Sequence, residues 1–220
     1  MKHILTILFL FCVFSSISLA QSYNGIDVSH HQGKIDWQKV AKDTLIQYVY
    51  IKATTGVTGT DACYVYNNTN ARSNGLKVGA YHYFTSRSSA HAQFEHFKAI
   101  APKEHQDLIP MVDMEGLLEK WSKKQVQDSL QVFLDLCKEY YGKAPMIYGT
   151  QRSYNTYCAP RFNKYHLMIG RYGKNQPEII GKGSYSIWQY SETGHVEGIS
   201  KNVDLSLLHD KYNINILLLR

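Results

Sequence analysis

The amino-acid sequence predicts a single α/β domain in which about five strand–helix units are followed by strands alone. Eight short apolar runs rich in Val, Ile and Tyr indicate strands, and amphipathic segments separate the early ones. Alternation of this kind is typical of a parallel sheet, and eight strands favour closure into a barrel. The alternative is an open, doubly wound sheet. Its nucleotide-binding version lacks support, because no glycine-rich phosphate loop follows the first strand.

The predicted strands share β-branched and aromatic residues, and Gly or Pro lies close to several of them. They span residues 25–28, 48–51, 78–84, 108–112, 145–148, 166–169, 186–190 and 203–207.

Helical periodicity is clearest at 122–141, where apolar residues from Val126 to Cys137 recur on one face. Ser122 is suited to cap this helix and Gly142 to end it. A short helix is expected after Asp36, which we interpret as its N-cap. Three weaker helices are predicted at 61–74, 88–100 and 151–157.

Residues 1–20 have the layout of a secretory signal peptide. Lys2 gives a positive start, residues 4–14 are almost wholly apolar, and small residues at Ser18 and Ala20 suit a signal peptidase. The apolar run is shorter than the roughly 20 residues that a membrane-spanning helix needs. We therefore expect cleavage after Ala20 and a secreted or periplasmic domain of residues 21–220, without stable membrane insertion.

The charge of the chain suggests the class of its partner. The formal net charge is +6, which suits an anionic polymer such as a bacterial wall. Nucleic acid is not expected, because no basic cluster is interleaved with aromatic residues.

The cysteines and histidines do not predict a metal site. Cys63, Cys137 and Cys158 follow the predicted signal peptide, and this odd number allows one disulfide with a free thiol or three buried thiols. Their spacing does not suit zinc. His30 and His31 are adjacent, which should point them in different directions, and no third ligand is evident. No cofactor is expected.

Four acidic residues sit at or just past the ends of apolar runs, where a carboxylate is costly unless it is paired or functional. They are Asp27, Asp113, Glu115 and Asp204. In a parallel barrel, the C-terminal ends of the strands carry the active site. The sequence therefore predicts an acidic site at this end. The alternatives are solvent-exposed acids on a loop and a cation site.

Asp113 and Glu115 are two residues apart, so a strand would place them on one side, roughly 6.5–7 Å apart along the chain. Such a pair suits glycoside hydrolysis, in which one acid protonates the leaving oxygen and the other supports positive charge at the anomeric carbon. Burial and neighbouring charge should raise one pKa. The longer Glu115 is predicted to be the general acid/base.

Together with other motifs, these acids resemble glycoside hydrolase family 25, the Chalaropsis-type lysozymes. The resemblance covers nearly the whole chain after residue 20, and it lies in the order and spacing of the motifs. They are GIDVSHHQG at 25–33, IDW at 35–37, IKATTG at 51–56, GLKVGAYHY at 75–83, DME at 113–115, IWQY at 187–190, GI at 198–199 and VD at 203–204.

The resemblance implies a flattened (β/α)5(β)3 barrel that cleaves the β-1,4 bond after N-acetylmuramic acid with net retention. Glu115 matches the catalytic acid of the family and Asp113 its acidic partner, while Asp27 and Asp204 match the other active-site acids. If the 2-acetamido group of the sugar is the internal nucleophile, Asp113 orients that group. Thr55 stands where relatives usually carry Glu, which bears on substrate preference.

Three aromatic residues are predicted to bind substrate. Tyr81 aligns with an active-site tyrosine of the family, and strand alternation puts it on one face with Tyr83 while His82 takes the other. Tyr148 and Trp188 are candidates for stacking on sugar rings near the strand ends. Packing in the core is the alternative for each of the three.

Three functions follow from these motifs. The first is a monomeric muramidase acting on bacterial peptidoglycan. The second is a catalytically silent wall- or glycan-binding protein on the same barrel, against which the four acids argue. The third is a hydrolase of another β-linked amino-sugar polymer, such as a chitin-like one.

Overall fold

The computed structural model describes residues 22–116 and 121–220, so the predicted signal peptide lies outside the described residues. Nine strands form one sheet, eight of which close into a barrel, while the short β3 pairs only with the end of β2. The strands are β1 (Gly25–Val28), β2 (Tyr48–Thr55), β3 (Gly59–Thr60), β4 (Val78–Tyr83), β5 (Met111–Asp113), β6 (Met146–Thr150), β7 (Leu167–Gly170), β8 (Ile187–Gly194) and β9 (Val203–Leu208).

The barrel is closed by the pairing of β1 with β2, which confirms the predicted barrel over the open sheet. From β1 through β2, β4, β5, β6 and β7 to β8, neighbouring strands run parallel. The last strand, β9, runs antiparallel to both β8 and β1. Only residues 195–202 connect β8 to β9. This connection is too short for a parallel crossover, which needs about a dozen residues or more.

The helices lie between the early strands, as the sequence predicts, and the described residues contain no α-helix after Ser153. They are α1 (Trp37–Val40), α2 (Tyr64–Ser73), α3 (Ala90–Ile100), α4 (Lys123–Tyr141) and α5 (Gln151–Ser153), which runs into a π-helical turn (Tyr154–Cys158). Asp36 caps α1, as expected. Ser122 and Gln125 form a capping box at the start of α4, and Gly142 ends it in the left-handed conformation.

Two predicted elements begin three residues later than expected. The helix predicted at 61–74 starts at Tyr64, because the Asp61 carboxylate accepts hydrogen bonds from the backbone N–H groups of Cys63 and His30 and holds a turn there. The strand predicted at 108–112 starts at Met111. The preceding Ile109 N–H donates instead to the carbonyl of Leu217, at 2.7 Å.

The C-terminal segment covers the end of the barrel where the parallel strands begin. Leu219 N–H donates to Asp107 O at 2.9 Å, and the side chains of Leu217 and Leu219 are buried. This end is therefore packed, and the other end is available for a site. None of the described helices is long and apolar enough to span a membrane.

The three cysteines of the described chain are free thiols. Cys137 and Cys158 are buried, and Cys63 is partly exposed. Of the two sequence-based alternatives, the structure therefore has thiols without a disulfide, although one of them is not buried.

Candidate active site

A cavity of about 340 Å³ opens at the C-terminal ends of the parallel strands, and all four predicted acids line it. Asp27 lies on β1, Asp113 is the last residue of β5, and Glu115 follows it by two positions. Asp204 lies near the beginning of β9. Because β9 is antiparallel, its beginning lies at the end of the barrel where the parallel strands finish.

Asp27 and Asp204 face each other across the β1–β9 pair and share a hydrogen bond. Burial, and then the charge of Asp204, raise the pKa of Asp27 well above its usual value. Desolvation raises the pKa of Asp204 to about 6, against the lowering effect of the hydrogen bond from Asp27. The raised pKa of Asp27 favours its protonated form, whose O–H can donate a hydrogen bond to Asp204.

Asp113 and Glu115 differ in their access to the cavity. Asp113 is 5% exposed and accepts a hydrogen bond from Glu115 N–H at 3.2 Å, whereas Glu115 is exposed. Burial, and then the charge of Glu115, raise the pKa of Asp113. The pKa of Glu115 is also raised, by desolvation first and then by Asp204. A fixed, buried carboxyl thus stands beside a reachable one that tends to hold a proton.

Lys52, on β2, lines the same cavity. Its Nζ lies 4.7 Å from the centroid of the Tyr83 ring. The positive charge lowers the pKa of both Asp113 and Glu115 and so opposes the effect of burial. Lys52 therefore partly offsets the rise that burial causes in the pKa of these two carboxyls.

The faces of β4 follow the predicted alternation. Tyr81 and Tyr83 line the cavity. His82 is buried on the other side, where its Nδ1 lies 2.7 Å from the hydroxyl of Thr54. Burial raises the pKa of Tyr81, and the surrounding carboxylates add to this effect. Tyr81 therefore stays protonated and can donate a hydrogen bond into the cavity.

Tyr148 reaches the site through its hydroxyl. Its ring is buried, and the hydroxyl donates to Gln189 Oε1 at 2.7 Å. The side chain also hydrogen-bonds with Glu115 and lowers the pKa of that carboxyl. The hydroxyl is thus placed to orient Glu115, while the covered ring has no face open for stacking.

The structure does not bring Trp188 to the acidic cavity. Its Nε1 donates to the carbonyl of Arg171 at 2.7 Å, and the ring lines a separate cavity with Tyr185 and Leu207. Strand alternation explains this placement, because Gln189 is the residue of β8 that turns towards Asp27.

Sequence reasoning missed three residues of the site, Lys52, Gln189 and Tyr172. Gln189 is 2% exposed and joins the Tyr148 hydroxyl to Asp27 Oδ2, to which its Nε2 donates at 3.0 Å. A buried amide within an apolar strand was the available signal. Tyr172 is 47% exposed and hydrogen-bonds with Tyr148. Its pKa is raised first by desolvation and then by the charges of nearby carboxylates, Asp204 and Glu115 among them. It lies on a loop, where no periodicity marks it.

The histidine pair is arranged differently from the expectation. His30 and His31 belong to a 3-10 turn, and their ring centroids lie only 4.1 Å apart. Nδ1 of His30 lies 2.7 Å from the carboxylate of Asp61, while His31 lines the acidic cavity. Through these contacts, the two histidines connect the edge of the acidic cavity with the loop before α2.

Carboxyl groups of different accessibility, grouped at the strand ends of a barrel, define a glycoside hydrolase site. The model of the family described as glycosyl hydrolases family 25 matches residues 26–199. The chain belongs to this family and is a glycoside hydrolase of the lysozyme class.

The chain is also similar to individual proteins, two of which are lysozymes. YegX of Escherichia coli K12, an uncharacterized protein, is 34% identical over 200 residues, which cover 88% of this chain and 73% of YegX. Lysozyme M1 of Streptomyces globisporus is 32% identical over 194 residues, covering 82% of this chain and 65% of that protein. The structure of a lysozyme from Streptomyces coelicolor superposes with a TM-score of 0.78 at 30% identity, over 86% of this chain and 93% of that one.

Proposed function

We propose that the protein is a secreted 1,4-β-N-acetylmuramidase that hydrolyses the bond between N-acetylmuramic acid and N-acetylglucosamine in bacterial peptidoglycan, with retention. The observation that carries the proposal is the pairing of a buried Asp113 with an exposed Glu115 in one cavity. The family and its lysozymes support the choice of substrate.

Glu115 is the general acid of the proposed reaction. Its raised pKa favours the protonated carboxyl that a general acid needs, and its exposure lets it reach the glycosidic oxygen. The negative charge of Asp204 supports the positive charge that develops at the anomeric carbon, as cleavage of the glycosidic bond requires.

Asp113 orients the 2-acetamido group of the sugar, which attacks the anomeric carbon as internal nucleophile. Burial and the hydrogen bond from Glu115 N–H hold the Asp113 carboxyl in one position, which suits an orienting role. Substrate assistance is an accepted exception to the scheme with two reacting carboxylates. Mass spectrometry of the enzyme during turnover should show no sugar bonded to Asp113, and such an adduct would exclude this role.

The test is reducing-end analysis of purified peptidoglycan treated with residues 21–220 of the wild type or with Glu115→Gln. We expect the wild type to release fragments that end in N-acetylmuramic acid. Loss of the general acid should lower kcat by about 10²–10⁴-fold. Glu139→Gln, on the exposed face of α4, is the matched control and should retain activity.

Three results would contradict the proposal. Equal activity of Glu115→Gln and the wild type would remove Glu115 from the reaction. A wild type that binds the wall without releasing fragments would favour the silent glycan-binding protein. Faster cleavage of chitin than of wall glycan would favour a different amino-sugar polymer.

Secretion is tested separately, by expressing residues 1–220 and sequencing the N-terminus of the exported product. We expect export and a chain that begins at Gln21. A protein that stays in the cytoplasm with Met1 intact would contradict secretion.

A further inference from the structure

Glu115 lines two cavities rather than one. The first is the acidic cavity already described. The second, of about 370 Å³, lies on the other side of Glu115, where the end of β6 meets α5, and is lined by Thr150, Arg152 and Tyr157 among others. Both cavities open at the same end of the barrel. A chain molecule in contact with Glu115 can therefore extend into both.

The chemistry of the proposed reaction assigns the two cavities to the two halves of the substrate. A general acid acts on the oxygen that joins the reacting sugar to the leaving sugar. Asp27, Asp113 and Asp204 all line the first cavity, where the negative charge of Asp204 supports the developing positive charge. The reacting sugar therefore occupies the first cavity, and the leaving sugar lies beyond Glu115, in the second.

The side chains of the second cavity differ in character from those of the first. Arg152 is exposed, and no carboxylate of the described residues forms an ion pair with it. Tyr157 is half-buried and provides an aromatic wall. The hydroxyls of Thr150 and Ser153 lie 3.1 Å apart and bond to each other. The cavity thus combines an aromatic surface with an available cation.

We propose that the second cavity binds the leaving N-acetylglucosamine and that Arg152 binds a carboxylate of the stem peptide carried by the muramic acid that follows it in the glycan strand. The inference rests on the proposed function. Peptidoglycan carries its negative charge in carboxylates of the peptides attached to muramic acid. A guanidinium that forms no ion pair with a carboxylate among the described residues is suited to receive one.

The inference makes Arg152 a residue that distinguishes peptide-bearing glycan from bare glycan. We would measure kcat/KM on glycan strands with intact stem peptides and on strands treated with an amidase, which removes the peptides and leaves only the lactyl carboxylate on each muramic acid. In Arg152→Met, kcat/KM on peptide-bearing strands should fall about fivefold, as expected for loss of an exposed ion pair. On peptide-free strands it should fall by less than about twofold.

Two further variants and a change of salt concentration separate this effect from a general loss of charge or of folding. Arg220→Met removes the same group near the covered end of the barrel, where Arg220 contacts Lys103 O, and should leave the ratio between the two substrates unchanged. Arg152→Lys keeps the positive charge and should recover most of the ratio. Higher salt should bring the wild-type ratio towards that of Arg152→Met, because screening weakens exposed ion pairs.

The outcomes distinguish the inference from the function on which it rests. An unchanged ratio in Arg152→Met, or an equal fall on both substrates, would overturn the role of Arg152 while leaving the muramidase intact. An equal change in Arg220→Met would attribute the effect to net charge and also overturn it. A wild type inactive on both substrates would overturn the proposed function and the inference together.

Discussion

The raised pKa of Asp204 has a consequence for stability. Folding raises the pKa of Asp204 from about 4 in an ordinary carboxyl to about 6. The folded state therefore binds a proton at Asp204 more tightly than the unfolded state does. Its stabilising contribution is present below about pH 4 and is lost as the pH rises through about 6. The active-site acids thus lower stability at neutral pH.

Asp204→Asn should consequently raise the free energy of unfolding at pH 7. We expect a gain of about 1 kcal/mol, discounted for the partial exposure of the group. The gain should disappear near pH 4, where Asp204 is protonated in both states. Thermal melting across pH 4–8 measures it.

The control for this change is Asp128→Asn. Lys124 and Arg161 lower the pKa of Asp128 by hydrogen bonds to its exposed carboxylate. Its replacement should therefore leave stability at pH 7 unchanged or slightly reduced. Equal gains in both variants would attribute the effect to net charge.

At the residue scale, the sequence predicted the acids but not all of their partners. A carboxylate in an apolar strand is chemically conspicuous, so Asp27, Asp113 and Asp204 could be found. Gln189 was passed over for its neighbour Trp188, because a large aromatic ring suggests sugar stacking more readily than an amide does. Only the register of β8 decides which of the two faces the site.

At the scale of elements, α4 was predicted well because its signals are local. Val126, Leu130, Phe133 and Leu134 recur at helical spacing and are all buried, and the capping residues at both ends act within one turn. The start of α2 could not be predicted in this way. The Asp61 carboxylate that delays it also binds His30, which is distant in sequence.

The C-terminus of α4 offers a clean test of backbone conformation. Gly142 has φ 86°, and no heavy atom lies within 4 Å of where a Cβ would be. Gly142→Ala should therefore lower the free energy of unfolding by about 1 kcal/mol through left-handed strain alone. Gly142→Asn should lose less, because Asn tolerates this conformation better. Urea denaturation compares them, and an Asn variant less stable than the Ala variant would contradict the explanation.

At the scale of the whole molecule, the barrel followed from strand count, alternation and family resemblance, but the direction of β9 did not follow from the alternation. Apolar patterning does not distinguish a parallel strand from an antiparallel one. The short connection between β8 and β9 carries that information, together with the loss of the intervening helix. Asp204 reaches the site because of this reversal.

The covered end of the barrel should contribute to stability without affecting catalysis. Leu217 is fully buried there, so Leu217→Ala should lower the free energy of unfolding by about 2–5 kcal/mol. Leu218→Ala, at a half-buried neighbour, should lose less. Urea denaturation measures both, and kcat of the folded variants should equal that of the wild type. A fall in kcat would show that this end communicates with the site.

Because β1 pairs with both β2 and β9, the barrel can close only after β9 has been synthesised. Asp27 is among the first residues of the barrel to be synthesised, and Asp204, its partner across the β1–β9 pair, is among the last. A nascent chain that lacks β9 has neither the closed barrel nor the hydrogen bond between Asp27 and Asp204. Its wall-cleaving chemistry therefore begins only when the final strand docks, so unfinished chains inside the producing cell would be inert.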